Sequence, residues 1–129
     1  MNKKNSPFFT CFKLVLLIFL ATPNYSLGAT NCIEAIDSIH LDQLTKKIKT
    51  NDFDETKIKI IKSSLDKNCF NSIQLKGLLS LLSFEEDKIN IIKLAYKKLV
   101  DPENIETVLA VLEFDSSKKE INDFIANSK

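Results

Sequence analysis

Apolar positions in the last hundred residues of this chain follow a helical period, and they follow it more than once. Leu75, Leu78, Leu79 and Leu82 stand at i, i+3, i+4 and i+7, and Ile105, Val108, Leu109 and Leu112 repeat that spacing 30 residues later. Apolar residues so spaced line one face of a helix. The spacing predicts helices over 33–49, 55–67, 72–82, 86–100, 103–112 and 117–126. No segment reads as a strand. Breaks fall at Lys67-Asn68 and at Asp101-Pro102, where Asp suits an N-cap and Pro the first helical turn.

The segments ahead of these leucine-rich helices repeat as well. Residues 53–65, FDETKIKIIKSSL, align with 84–96, FEEDKINIIKLAY, at seven of thirteen positions, and Phe114 opens a third copy, FDSSKKEI. The copies are 31 and 30 residues apart. That period belongs to helical repeats, in which one helix pair cannot bury its apolar face alone. The pattern therefore predicts an all-α fold: a short array of repeated helix pairs, solenoid-like or an irregular bundle, with about six helices. Ser83-x-x-Glu86 and Asp52-x-x-Glu55 are candidate capping boxes. The alternative is that Asp54, Glu85 and Asp115 cap the helices, leaving each preceding Phe as an anchor. In either register Phe53, Phe84 and Phe114 are expected to plug junctions between units, and the stems of Lys57, Lys88 and Lys118 to cover them.

The N-terminus has a different pattern. Lys3, Lys4 and Lys13 precede an apolar run of eight residues, Leu14–Ala21, followed by Pro23 and small residues. This is the order of a cleavable secretory signal, and its apolar core falls well short of the roughly 20 residues that span a bilayer. We therefore expect a signal peptide at 1–29 and a single helical domain at 30–129, secreted or periplasmic, with no stable membrane anchor after cleavage. Cleavage after Ala29 and cleavage after Gly28 both satisfy the small-residue preference. A lipoprotein signal acylated at Cys32 is disfavoured by Asn31 immediately before it.

Charge and cysteine content narrow the function classes. All 17 acidic residues and 15 of the 18 lysines lie beyond the signal, so the remaining domain is slightly acidic, and the chain has no Arg. It lacks the basic footprint of a nucleic-acid binder. Cys32 and Cys69 remain after processing, and an even pair in an exported domain reads as a disulfide, intramolecular or between chains. Their spacing fits no redox motif, and the single His, His40, cannot complete a zinc site of the usual kind.

The stretch from Leu81 to Ile125 resembles a family of exported domains, DUF4476. The resemblance rests on Phe84-Glu85, Asp87-Lys88, Ala95-Tyr96, Asp101, Asn104, Phe114, Ser117-Lys118 and Phe124-Ile125, and it extends over about 40–126. Ile105 departs from the aromatic residue expected after Asn104. The resemblance implies a helical, often secreted domain and supplies no activity.

Candidate chemistry is sparse. His40 has no nucleophile spaced to pair with it, and Glu85-Glu86-Asp87, consecutive on a helix, point apart and suit a helix N-terminus better than a cation. Asp66-Lys67-Asn68 lacks the glycine and terminal Glu of a calcium loop. The expectation is an interaction module with a protein partner, without cofactor, metal or catalytic residues. Its candidate contact residues are Tyr96, which stands where the first copy has Leu65, and the ridge formed by Lys88 and Lys118. A carrier of small apolar ligands is the second reading, and an enzyme the last.

Overall fold

A computed structural model describes residues 32–128; the segment 1–29 expected to be a signal, with both cleavage registers, lies outside the described residues. Among the described residues the chain forms helices α1 (Ser38–Lys49), α2 (Asp54–Lys67), α3 (Ser72–Leu79), α4 (Glu85–Ala95), α5 (Ile105–Leu109) and α6 (Asp115–Asn127). Short 3-10 turns at Tyr96–Lys98 and Pro102–Asn104 follow α4 and lead into α5. The all-helical fold class is as expected. No strand occurs among the described residues, and Phe70 and Leu99 make one isolated parallel bridge.

The helices pack in two rows. α2 lies against α4 and α4 against α6, while α3 lies against α5; α1 packs on α2. Between the rows, Ile48, Ile61, Leu75, Leu79, Ile92, Leu109 and Ile121 are fully or almost fully buried. The leucine and valine positions read from the period are core positions: Leu78, Leu82, Val108 and Leu112 are buried too.

Several helix ends differ from the periodicity. The first helix begins at Ser38 rather than 33, because Ile36 is held extended by donating its N–H to Cys69 O at 2.8 Å. Asp37 then caps α1 by accepting from the N–H groups of Ile39 and His40. α4 stops at Ala95 rather than 100, since Phe70 donates to Lys98 O and accepts from Val100 N–H, which pulls residues 98–100 out of the helix. α3 and α5 end early in the same way: Leu81 and Leu82 donate to Leu78 O and Leu79 O, and Val111 and Leu112 to Val108 O and Leu109 O. These i→i+3 bonds tighten the last turn. Asn71 and Gln74 form a capping box on α3, whereas neither of the two boxes read from the sequence forms.

The other end of the pairs is stitched by extended segments. Gln74 Nε2 reaches Ile36 O at 2.8 Å, and Ser72 N–H donates to Asp101 Oδ1 at 2.8 Å. Asp101 thus caps a helix of the neighbouring pair in addition to preceding Pro102. Cys32 and Cys69 are disulfide-bonded, with Cα atoms 5.6 Å apart, fixing the segment ahead of α1 to the start of α3. Gly77 lies in α3, and a Cβ built there meets nothing within 4 Å, so no close helix contact requires glycine.

The last helix closes the row. Where α4 buries Ile89 and Ile92, α6 carries the exposed Lys119 and Asn122 thirty residues on. Lys93 of α4 pairs with Glu120 of α6 at 2.6 Å and lies 6.0 Å from the Phe124 ring centroid, so the α4–α6 contact combines charge with packing.

Two stability outcomes follow from this architecture. Cys32→Ser with Cys69→Ser opens a loop of sequence separation 37. In the chain-entropy model this lowers unfolding free energy by about 4 kcal/mol, measurable as a drop in the urea midpoint. Gly77→Ala, filling open space on a helix, should raise unfolding free energy by about 0.5–1 kcal/mol in the same measurement.

Candidate functional site

The repeated Phe-acid-x-x-Lys segment places its parts in two different environments. Each Phe is the N-cap residue of a first-row helix: Phe53 for α2, Phe84 for α4 and Phe114 for α6, none with a side-chain cap hydrogen bond. The acidic residue is therefore the first residue of the helix, and the side chains of Asp54 and Glu85 reach across to a turn about 30 residues on.

Asp54 accepts from Ser83 N–H at 2.6 Å, and Glu85 accepts from Glu113 N–H at 3.0 Å and Phe114 N–H at 3.2 Å. The lysines complete the same grip. Lys57 Nζ donates to Leu81 O at 3.0 Å and to Asp54 Oδ1 at 3.2 Å, and Lys88 Nζ donates to Val111 O at 3.4 Å. Each pair thus clamps the turn that ends the following α3-type helix, holding its free carbonyl and its free N–H together. These are groups that a helix C-terminus leaves without intrahelical partners.

Burial pushes the Asp54 carboxyl up, but the Ser83 N–H and the Lys57 ammonium outweigh it and hold the group below the usual carboxylate range. At the exposed edge, Glu55 is also lowered, by its hydrogen bond to Lys59.

This geometry corrects two expectations. Lys88 is only 9% exposed, with its ammonium on Val111 O, so it does not form an exposed ridge with Lys118. Lys118 is more open and lies 3.7 Å from Asp115 on its own helix. The Phe side chains, expected as plugs, are outside: Phe53 is 77% exposed, Phe84 65% and Phe114 58%. The junction is filled instead by the clamp and by the leucines beneath it. Tyr96 is half-buried against the core at the start of the 3-10 turn, away from this edge of the helices.

The outward Phe side chains and the helix N-termini make one candidate surface. Phe53, Asp54, Glu55, Thr56, Ile58, Phe84 and Asp87 line an open groove of about 490 Å³ between the starts of α2 and α4. Sequence reasoning missed this surface because large aromatics are usually buried. The signal available was position: a Phe directly before a run of first-turn acids sits at an N-cap, where the chain leaves the core.

A second groove of about 470 Å³ lies beside the disulfide, lined by Glu34, Ile36, Asp37, His40, Lys67 and Asn68 among others. His40 Nδ1 contacts Asp37 Oδ2 there, and the Asp37 carboxyl is lowered chiefly by the His40 backbone N–H and then by its side chain. The lining has no Ser or Thr, and its Cys69 is held in the disulfide. Among the described residues no group of three or more His, Cys, Asp or Glu is placed to hold a metal ion. The carboxylates of Glu85, Glu86 and Asp87 diverge, Glu85 being engaged by the next unit.

Compared with known proteins, the chain matches one family, described as a domain of unknown function (DUF4476), over residues 35–125. No curated protein and no solved structure matches.

The clamp gives the fold a defined acid sensitivity. Because folding lowers the Asp54 pKa, Asp54 contributes stability above the unfolded carboxylate pKa of about 4, and that contribution is lost as the pH falls through the folded value. Asp54→Ala should cost about 2–3 kcal/mol near pH 7, since Ser83 N–H and the Lys57 ammonium lose a buried acceptor. Asp54→Asn should flatten the acid limb of stability against pH, read from urea midpoints between pH 7 and pH 3.

Proposed function

We propose that this chain, which belongs to the DUF4476 family, is an exported helical-repeat interaction module whose contact surface is the row of Phe53, Phe84 and Phe114. The carrying observation is the exposure of three equivalent aromatic side chains at N-cap positions. At such a position Ser, Asp or Asn would supply a hydrogen bond to the first turn, typically about 1 kcal/mol. Phe supplies neither that bond nor much burial. Three such choices in register weaken the free protein and suit one that is covered in use, where aromatic residues anchor interfaces.

Export is supported by the disulfide, which persists in oxidising compartments, and by the signal-like N-terminal sequence. No helix among the described residues is long and apolar enough to cross a membrane. The recurrence of the Asp54/Lys57 clamp in Glu85/Lys88 supports reading the helices as stacked equivalent pairs.

The test is affinity capture by the purified protein from envelope and culture fractions, comparing wild type with the Phe53→Ser, Phe84→Ser, Phe114→Ser variant. Wild type should retain a defined protein partner and the variant should lose at least tenfold of it. The variant's unfolding free energy should be unchanged or higher by up to about 1 kcal/mol per site, as new N-caps form. Equal capture by both proteins overturns the assignment of the surface.

A further inference from the structure

On the reading that the Phe row is a contact surface, we infer that its occupant is an extended cationic segment of a partner protein, with Lys or Arg at every third position. The groove between α2 and α4 offers two phenyl rings, the Ile58 side chain and, besides Asp54, which is engaged by Ser83 and Lys57, the two carboxylates of Glu55 and Asp87. A long basic side chain matches both parts, its stem on the rings and its charge on a carboxylate.

The charge of the edge follows from the clamp. Lys57 and Lys88, the cations nearest the rings in sequence, point inward onto Leu81 O and Val111 O. Asp87, Glu86 and Glu113 have no salt-bridge partner among the described residues, and Glu55 has only Lys59, a pair in which both side chains are mostly exposed and which a partner cation can replace. Asp115 is fully exposed beside Phe114, facing Lys118 at 3.7 Å. An acidic partner would meet unpaired carboxylates along most of the row.

Spacing selects the form of the segment. Neighbouring packed helices are about 8–10 Å apart, so equivalent sites recur at about that interval. A polyproline-type chain brings every third residue to the same face, about 9 Å along.

Fluorescence anisotropy tests this with synthetic peptides and the purified protein. A peptide of four Lys-Pro-Leu triplets should bind saturably, more weakly at higher salt. The same composition with its lysines contiguous should bind at least fivefold more weakly, and Glu-Pro-Leu triplets not at all. Glu55→Lys with Asp87→Lys should raise Kd at least tenfold, and the milder Glu55→Gln with Asp87→Asn should give an intermediate loss if the reversed variant folds poorly. Absence of saturable binding, equal binding of the Glu peptide, or indifference to both carboxylate variants overturns the inference. If partner capture falls in the triple Phe variant but not in the carboxylate variants, the contact surface stands and its cationic occupant is wrong. If neither set changes capture, both fail.

Discussion

The fold depends on clamps of charged side chains that satisfy the backbone where α3 and α5 end. A short helix that ends in i→i+3 bonds leaves a carbonyl and the next N–H groups turned toward its neighbour, and burying them without partners is costly. Asp54 with Lys57, and Glu85 with Lys88, supply an acceptor and a donor to such a turn at once. The two carboxylates solve the problem at different lengths. Asp54 is short, buried, and grips one N–H of the turn together with the Ser83 hydroxyl, whereas the longer Glu85 spans two successive N–H groups. Because the contacts join residues 23 to 29 positions apart, they tie each pair to the next.

At the opposite end of the pairs the same backbone demand is met by extended chain. Ile36 against Cys69, and Phe70 against Lys98 and Val100, make short ladders where a helix would otherwise continue. The disulfide sits at the first of these, where the chain ahead of α1 has only a few hydrogen bonds to hold it. The first and last described helices therefore differ: the chain ahead of α1 is held covalently, and α6 carries the exposed Lys119 and Asn122.

Much of the fold was legible because period and burial coincide. The apolar positions of α3 and α5 and of the turns after them are set by the 3.6-residue repeat, and Leu75, Leu78, Leu79 and Leu82 are all buried. Helix ends were less legible, since what stops α4 at Ala95 is Phe70, a residue 25 positions earlier whose hydrogen bonds no local pattern contains. The pairing of Cys32 with Cys69 followed from number and compartment. The environments of Lys88 and Phe84 were read the wrong way round. Hydrophobicity assigns Phe inside and Lys outside, and this holds until a free carbonyl sits within reach of the ammonium and the Phe backbone lies at the helix entrance. From the residues alone, nothing distinguishes a Lys that covers a junction with its stem from one that closes it with its charge.

The third copy of the segment separates what the fold requires from what it does not. At α6 no turn of another helix is gripped among the described residues, and Asp115 is fully exposed with Lys118 3.7 Å away. Released from the clamp, several positions change: Glu55 and Glu86 give way to Ser116, Ile58 and Ile89 to Lys119, Ile61 and Ile92 to Asn122. Asp115 keeps a role there, since a carboxylate in the first turn of a helix is favoured by the dipole, and Lys118 pairs with it one turn on. Phe114 has no such role. Its backbone is the N-cap and donates to Glu85, but its side chain makes no cap hydrogen bond and stays more than half exposed, where Ser116, Lys119 and Asn122 replace the residues of the other copies. A Phe that recurs at the same place in all three copies of the segment, and stays exposed in each, is not explained by core packing, and that exposure is the observation on which the proposed contact surface rests.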